Sequence, residues 1–269
     1  MPKDPSQDRF AHRYGPWAVV AGASEGIGQA YARELAARGL HLVLVARRPG
    51  PLEETAAELR SRHGVEVRIA AVDLGAPDVL AALAPHTDDI EVGLLIYNAA
   101  YADIGGYLDQ SLESKLKTID VNCRGPVALT SAYGAKMAAR GRGGLLLMSS
   151  MAGFQGSGLV STYAATKAFD TVLGEGLWAE LGPQGVDVLV CVAGATLTPN
   201  FEKQTPEAKR GMAFPMTPEA VAREGLAHLG KGPTHITGWV NRSVHATVGR
   251  LPRRLAVAFM ASNTKKLYG

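Results

Sequence analysis

The chain has 269 residues, of which 46% are hydrophobic and 20% charged, and its formal net charge is +3. These are globular proportions with ample apolar material for a core, and they exclude a disordered, fibrous or strongly nucleic-acid-binding chain. The longest apolar runs, 42–46 and 145–148, are strand-sized and far short of a membrane span. Residues 1–14 are polar and broken by proline, which reads as an N-terminal extension rather than a secretory signal. Cys123 and Cys191 lie in apolar stretches without metal-ligand spacing, as expected of buried thiols in a reducing, cytoplasmic setting. Open α/β sheets run to about 250 residues as one unit, so a single domain over 1–269 is expected.

From residue 17 onward two kinds of segment alternate. Short Val- and Leu-rich runs predict strands over 17–21, 40–46, 65–72, 92–97, 144–148 and 186–192. Between them, stretches with a near-3.6-residue apolar period predict helices over 28–38, 51–63, 77–84, 112–140 and 162–181. The short runs are apolar throughout, the pattern of parallel strands covered on both faces. Such strand–helix–strand units wind right-handed into a doubly wound parallel sheet of the α/β class. Gly39, Gly64 and Gly185 each follow a helical stretch, where a left-handed cap is wanted. Gly174 and Gly176, inside the helix over 162–181, suggest a backbone that approaches something closely. After Thr196 the pattern loosens. Residues 197–217 carry three prolines among Phe201, Met212, Phe214 and Met216, and read as a substrate loop or lid. In the tail, 241–269, Arg250, Arg253, Arg254, Lys265 and Lys266 read as a solvated face that complements helix dipoles.

Between the first strand and the first helix stands Gly22-Ala-Ser24-Glu-Gly26-Ile27-Gly28. Glycines here let the chain turn tightly and let backbone approach a pyrophosphate with no Cβ in the way. The helix that follows offers unpaired N–H groups and a positive dipole end. Ser24 either contacts phosphate or caps that helix. The second strand ends in Arg47-Arg48, about 20 residues past the loop, where an NAD protein places an acid for the ribose 2′-hydroxyl. Guanidinium in that place suits a 2′-phosphate, so NADP is expected in preference to NAD.

Farther along, Tyr163 and Lys167 stand at i and i+4 of one predicted helix and share a face. A phenol with an ordinary pKa of about 10 serves as an acid/base near neutrality only if a cation favours its phenolate. Ser149-Ser150 closes the strand that precedes this helix. The seven histidines are scattered, and no metal site is expected.

The G-x-x-x-G-x-G loop, Asn122, Ser150, Tyr163 and Lys167, taken in that order, resemble the short form of the short-chain dehydrogenase/reductase family over about residues 15–220. The resemblance implies a Rossmann-type fold and an NADP(H)-dependent oxidoreductase that interconverts a carbonyl and a secondary alcohol. It implies Tyr163 as acid/base, Ser150 on the substrate oxygen, Lys167 beside the phenol, and Asn122 anchoring a water that relays protons to Lys167. Asp73-Leu74 would contact adenine, Asn98-Ala99-Ala100 would form the turn after the fourth strand, and Gly194, Thr196 and Thr198 would line the nicotinamide end. Departures from the family pattern stand at Ala21, Tyr97, Ala100 and Ala193, and each predicts altered loop geometry rather than lost binding. A regulatory module that only binds NADP would be expected to lose Tyr163 or Lys167. An epimerase or dehydratase would carry a different glycine spacing and a substrate domain, and a methyltransferase would make the Tyr–Lys–Ser set a coincidence. Phe201, Met212, Phe214 and Met216 beside Thr198 favour an apolar, medium-sized ketone or alcohol, with no nucleic acid and no membrane span involved. The family arrangement also implies a homo-oligomer joined through the helices over 112–140 and 162–181, and the longer tail with residues 250–254, set against a second interface, favours a dimer over a tetramer.

Overall fold

The structure is a computed structural model that describes residues 5–269; residues 1–4 of the expected extension lie outside the described residues. Helix α1 (Pro5–Tyr14) precedes β1 (Trp17–Ala21), α2 (Gly26–Ala37), β2 (His41–Ala46), α3 (Pro49–His63), β3 (Val67–Ala71), α4 (Val79–Thr87) and β4 (Val92–Tyr97). The chain continues through α5 (Leu112–Ile119), α6 (Gly125–Arg140), β5 (Gly143–Ser150), α7 (Ser161–Leu181) and β6 (Val186–Ala193). Beyond these lie α8 (Pro199–Gln204), α9 (Glu207–Arg210), α10 (Pro218–His228), β7 (Thr234–Ile236), α11 (Trp239–Val248) and α12 (Arg253–Tyr268).

The strands pair in parallel in the order β3-β2-β1-β4-β5-β6-β7, forming the doubly wound, Rossmann-type sheet. Strand β7 has only three residues and too little apolar pattern to be read from sequence. Side chains leave each strand alternately to either face. Ala18 and Val20 of β1 enter a core packed by Tyr31 and Leu35 of α2, Leu59 of α3 and Leu226 of α10. Trp17, Val19 and Ala21 enter the other, with Leu83 of α4, Leu129 and Met137 of α6, and Leu173 and Leu177 of α7. Each fully buried leucine contributes about 1.5–3 kcal/mol. The chain runs outward from β1 to β3 and then crosses to β4, so the order reverses between β1 and β4. A crevice opens there beyond the carboxyl ends of the strands. Gly39, Gly64 and Gly185 take positive φ, as their positions after helices require.

The helix expected over 112–140 is interrupted by a π-helical turn, Asp120–Arg124. Three residues account for it. Pro126 has no N–H to give the Asn122 carbonyl four residues back. The Val121 carbonyl accepts a 2.6 Å hydrogen bond from the Tyr97 hydroxyl instead of one from the helix. Gly125 N–H then reaches back to Asp120, five residues away. Gly125 must be glycine for this, because a Cβ there would overlap the Tyr97 hydroxyl. Tyr97, a departure from the family pattern, is thus the residue that seats the turn.

Two expectations beyond Thr196 need correction. Residues 197–217 fold largely into α8, α9 and a 3-10 turn, because Thr198 caps α8 through its hydroxyl and Pro199 starts it. Arg253 and Arg254 occupy the first turn of α12, the positive end of its dipole, so only Lys265 and Lys266 in the last turn complement it.

The two glycines of α7 have opposite surroundings. A Cβ at Gly174 would drive into Val190 of β6, whereas at Gly176 it meets open space, so only the first serves a close approach. Gly174→Ala should lower stability by about 1–3 kcal/mol through overpacking. Gly176→Ala should raise it by up to about 1 kcal/mol through helix propensity. Urea midpoints of the two variants moving in the same direction would refute this packing.

Candidate active site

One cavity of about 650 Å³ lies over the carboxyl ends of β1, β2, β4, β5 and β6. Its first wall is the glycine turn. Gly22 leaves β1 with φ of +85° and its Cα side lies against Ala99, where a Cβ would come within 2.7 Å of backbone. Gly26 opens α2 at φ of +59°. Gly28 does not line the cavity; it lets α2 pack onto the turn, since a Cβ there would overlap the Gly22 carbonyl oxygen. Asn98 holds the same carbonyl with a 3.0 Å hydrogen bond from its amide. Ser24 and Ile27 line the wall. The N-cap is Glu25, which makes no side-chain cap bond, so Ser24 is not the cap.

Arg47 and Arg48 line the cavity where β2 ends. Arg48 pairs with Glu25 at 2.7 Å, an exposed contact of small energetic value. The Arg47 side chain has no hydrogen-bond or ion-pair partner among the described residues. Asp73 accepts the Gly75 N–H at 3.0 Å, and Leu74 is buried beside it. With Ala99 and Ala100 these two complete the first half of the cavity. Such a cradle suits a dinucleotide: glycine where backbone must be bare, an unpaired guanidinium at the second strand, and no acid in its place.

The second wall carries the expected catalytic residues. Ser150 ends β5 and accepts the Ala152 N–H at 3.2 Å, which leaves its hydroxyl proton free. Tyr163 and Lys167 follow on α7, the ammonium 5.8 Å from the phenol ring centre. Lys167 is buried and donates to the Met148 carbonyl at 2.8 Å and to the Asp170 carboxylate at 2.9 Å. Burial opposes its charge, but the Asp170 carboxylate, joined by Tyr163 in its phenolate form, outweighs burial and holds the ammonium above its ordinary range. Asn122 does not line the cavity. It sits behind it in the π-helical turn, its amide giving bonds to the Tyr101 carbonyl and the Thr166 hydroxyl and accepting one from Tyr101 N–H. A Cβ at Gly194 would displace the Asn241 side-chain amide, while the buried Thr196 bonds the Gly194 carbonyl and Thr198 caps α8.

The remaining wall differs from expectation. Phe201 is buried and lines the cavity. Met216 packs against the core, while Met212 and Phe214 are 57% and 68% exposed, outside the lining. Their place is taken by Met260, Thr264, Leu267 and Tyr268 of α12. Thr264 and Ser157 share a buried 2.6 Å hydrogen bond, and Arg253 donates to the Phe154 carbonyl at 2.9 Å. Burial pushes the Tyr268 phenol up. Asp170 was also not anticipated, although its i+3 spacing from Lys167 was readable. Thr264 and Tyr268 carried no such signal. Among the described residues there is no metal-binding cluster and no helix long and apolar enough to cross a membrane.

The profile of the short chain dehydrogenase family matches residues 16–209. A 7beta-hydroxysteroid dehydrogenase of Clostridium sardiniense is 35% identical over 233 residues, covering 87% of this chain and 89% of that one. A solved structure from a study of 7beta-hydroxysteroid dehydrogenase stereoselectivity has a TM-score of 0.87 at 31% identity, over 93% of this chain and 98% of its own. A short-chain dehydrogenase from Sphingobium yanoikuyae in complex with NADPH has a TM-score of 0.75 at 29% identity, over 89% of this chain and 97% of that one.

Proposed function

The chain belongs to the short-chain dehydrogenase family, and from that premise we propose that it interconverts a ketone and a secondary alcohol with NADP(H). The observation that carries this reading is the convergence of Ser150, Tyr163 and Lys167 on the cavity whose opposite wall is the glycine turn. Bound NADP(H) supplies or accepts the hydride at the reacting carbon. In reduction, the Tyr163 hydroxyl gives its proton to the carbonyl oxygen as charge develops there, and the free Ser150 hydroxyl proton hydrogen-bonds the same oxygen. The Lys167 ammonium stabilises the resulting phenolate, which is reprotonated from solvent; oxidation runs through the reverse steps. Asn122 orders the backbone behind Lys167 through Tyr101 and Thr166. A binding-only module has no use for this set, and the named relatives are dehydrogenases.

The substrate reading is an apolar ketone or alcohol of roughly steroid size. Phe201, Met260 and Leu267 give the cavity an apolar wall, and a relative's name places hydroxysteroids in its own site. The one sheet supports a single domain, and the two free cysteines support a cytoplasmic setting, which cell fractionation can test. On α5 and α7, Leu112, Leu116 and Val172 are 50–69% exposed, an apolar surface that supports a homodimer joined through these helices.

Four outcomes are expected. Across a panel of steroid ketones, bulky aryl ketones, keto-acids and sugars, followed by NADPH absorbance, the bulky apolar ketones should turn over. Tyr163→Phe should then slow turnover at least about 100-fold with cofactor binding intact. Turnover confined to keto-acids and sugars, or a Phe variant near wild-type speed, would overturn the corresponding part of the reading. Arg47→Ala forfeits a charge-assisted phosphate contact of about 1.5–3 kcal/mol. It should weaken NADPH roughly 10-fold or more and leave NADH unchanged, and equal losses for both cofactors would reject the assignment. Light scattering behind a sizing column should give twice the 28.3 kDa chain mass at micromolar concentration; the single-chain mass would exclude the shared-helix dimer.

A further inference from the structure

The face of α7 that turns toward the sheet holds a pair of opposite charges, Lys167 and Asp170, 3% and 2% exposed. Apolar residues are the ordinary occupants of such a face, and a buried ion pair is commonly no more stabilising than apolar side chains in its place. Its retention here points away from a packing role. The contacts narrow the role further. Asp170 uses one carboxylate oxygen, Oδ2, on the Lys167 ammonium at 2.9 Å. Its other oxygen, Oδ1, is buried without any hydrogen-bond partner. Among the described residues no capping bond, backbone N–H or second cation fixes this carboxylate, so its one engagement there is with Lys167. Lys167 lines the cavity and Asp170 does not, which puts the carboxylate behind the ammonium as seen from the substrate.

We propose that Asp170 is a positioning residue of this site, whose carboxylate keeps Lys167 protonated and anchored so that its charge is available to Tyr163; this rests on the acid/base reading above. An ammonium has three donors. The Met148 carbonyl and Asp170 Oδ2 take two of them, and the third is left for the cavity side. If the carboxylate is neutralised, the Met148 carbonyl is the remaining protein acceptor for a buried charge, and burial favours the neutral amine. A neutral amine offers no charge to a developing phenolate.

The titratable groups that face the pair are few. Tyr163 stands on the same helix, Cys123 comes from the π-helical turn, and Tyr97 comes from β4. Strand β5 brings the Met148 carbonyl and the Ser149 hydroxyl, which bonds the Lys167 carbonyl. Burial pushes the Cys123 thiol up to about 11 and the Tyr97 phenol well above its ordinary value, so both are neutral around pH 7–9. Tyr268, from α12, faces Tyr163 and is likewise pushed up by burial. Lys167 and Asp170 are therefore the charges that set the field at the phenol. The direction follows. With the carboxylate present the ammonium persists to high pH; without it the charge disappears as pH rises through a lowered value.

The experiment is lysine-selective 15N NMR of the full chain, with the Lys167 signal assigned by its loss in Lys167→Arg. In the wild type the ammonium signal should persist through about pH 9. In Asp170→Asn it should vanish at a pH lower by about 2 or more. Turnover of that variant should fall with rising pH across the same point, so that its loss is several-fold larger at pH 9 than at pH 6. An ammonium that titrates identically in both proteins overturns the proposal, whatever the activity of the variant. Should Asp170→Asn fail to fold, the wild-type titration still decides, because a Lys167 that is neutral at pH 8 is incompatible with the proposed role. The NMR readout needs no substrate, so a Tyr163→Phe variant with wild-type turnover would sink the acid/base reading while leaving this result standing on its own.

Discussion

Because the strands of the sheet all run one way, their carboxyl ends collect along one edge, and each strand exits into a loop over the same space. That constraint gathers residues far apart in the chain. Gly22 follows β1, Arg47 follows β2, Asn98 follows β4, Ser150 ends β5 and Gly194 follows β6, and all of them face one cavity. An antiparallel arrangement would send alternate loops to the opposite edge and split this set. The reversal of strand order between β1 and β4 then parts the two flanking loops and gives the crevice its depth.

Within that frame the chemistry is held from behind. Tyr97 takes the Val121 carbonyl, Pro126 withholds an N–H, and Gly125 makes room, so the helix widens at Asn122. Asn122 then clamps Tyr101 by both its N–H and its carbonyl, and bonds Thr166 on α7, next to Lys167. Ser149 bonds the Lys167 carbonyl from the sheet side. Four elements thus fix the backbone around one ammonium before any ligand arrives, which is what preorganised electrostatics requires.

The parts that were legible beforehand are those written in local pattern. Apolar runs and helical periods gave six of the strands and the helices between them, within a few residues at each end. The glycine turn and the Tyr163–Lys167 pair are short-range arrangements, readable from spacing alone. What was not legible depends on partners distant in sequence. The π-helical turn follows from a hydroxyl 24 residues upstream, and the α12 wall is tied by a Thr264–Ser157 bond spanning 107 residues. Phe214 and Met212 looked like pocket residues because they are apolar and near Thr198. They are exposed because α8 and α9 turn that segment outward, and of its apolar side chains Phe201 lines the cavity.

The two halves of the cavity also answer differently to mutation over time. Around the glycine turn the wall is backbone, and any side chain at Gly28 collides with the Gly22 carbonyl oxygen, which Asn98 holds in place. Around α12, the wall consists of side-chain tips on a helix whose own backbone is satisfied internally. Exchange of Met260 or Leu267 reshapes the space without disturbing the strand ends. A lineage carrying this scaffold can therefore drift from one substrate to another through its last helix while its nucleotide half stands still. The glycine turn itself has no such freedom, because a Cβ at Gly22 or Gly28 meets backbone.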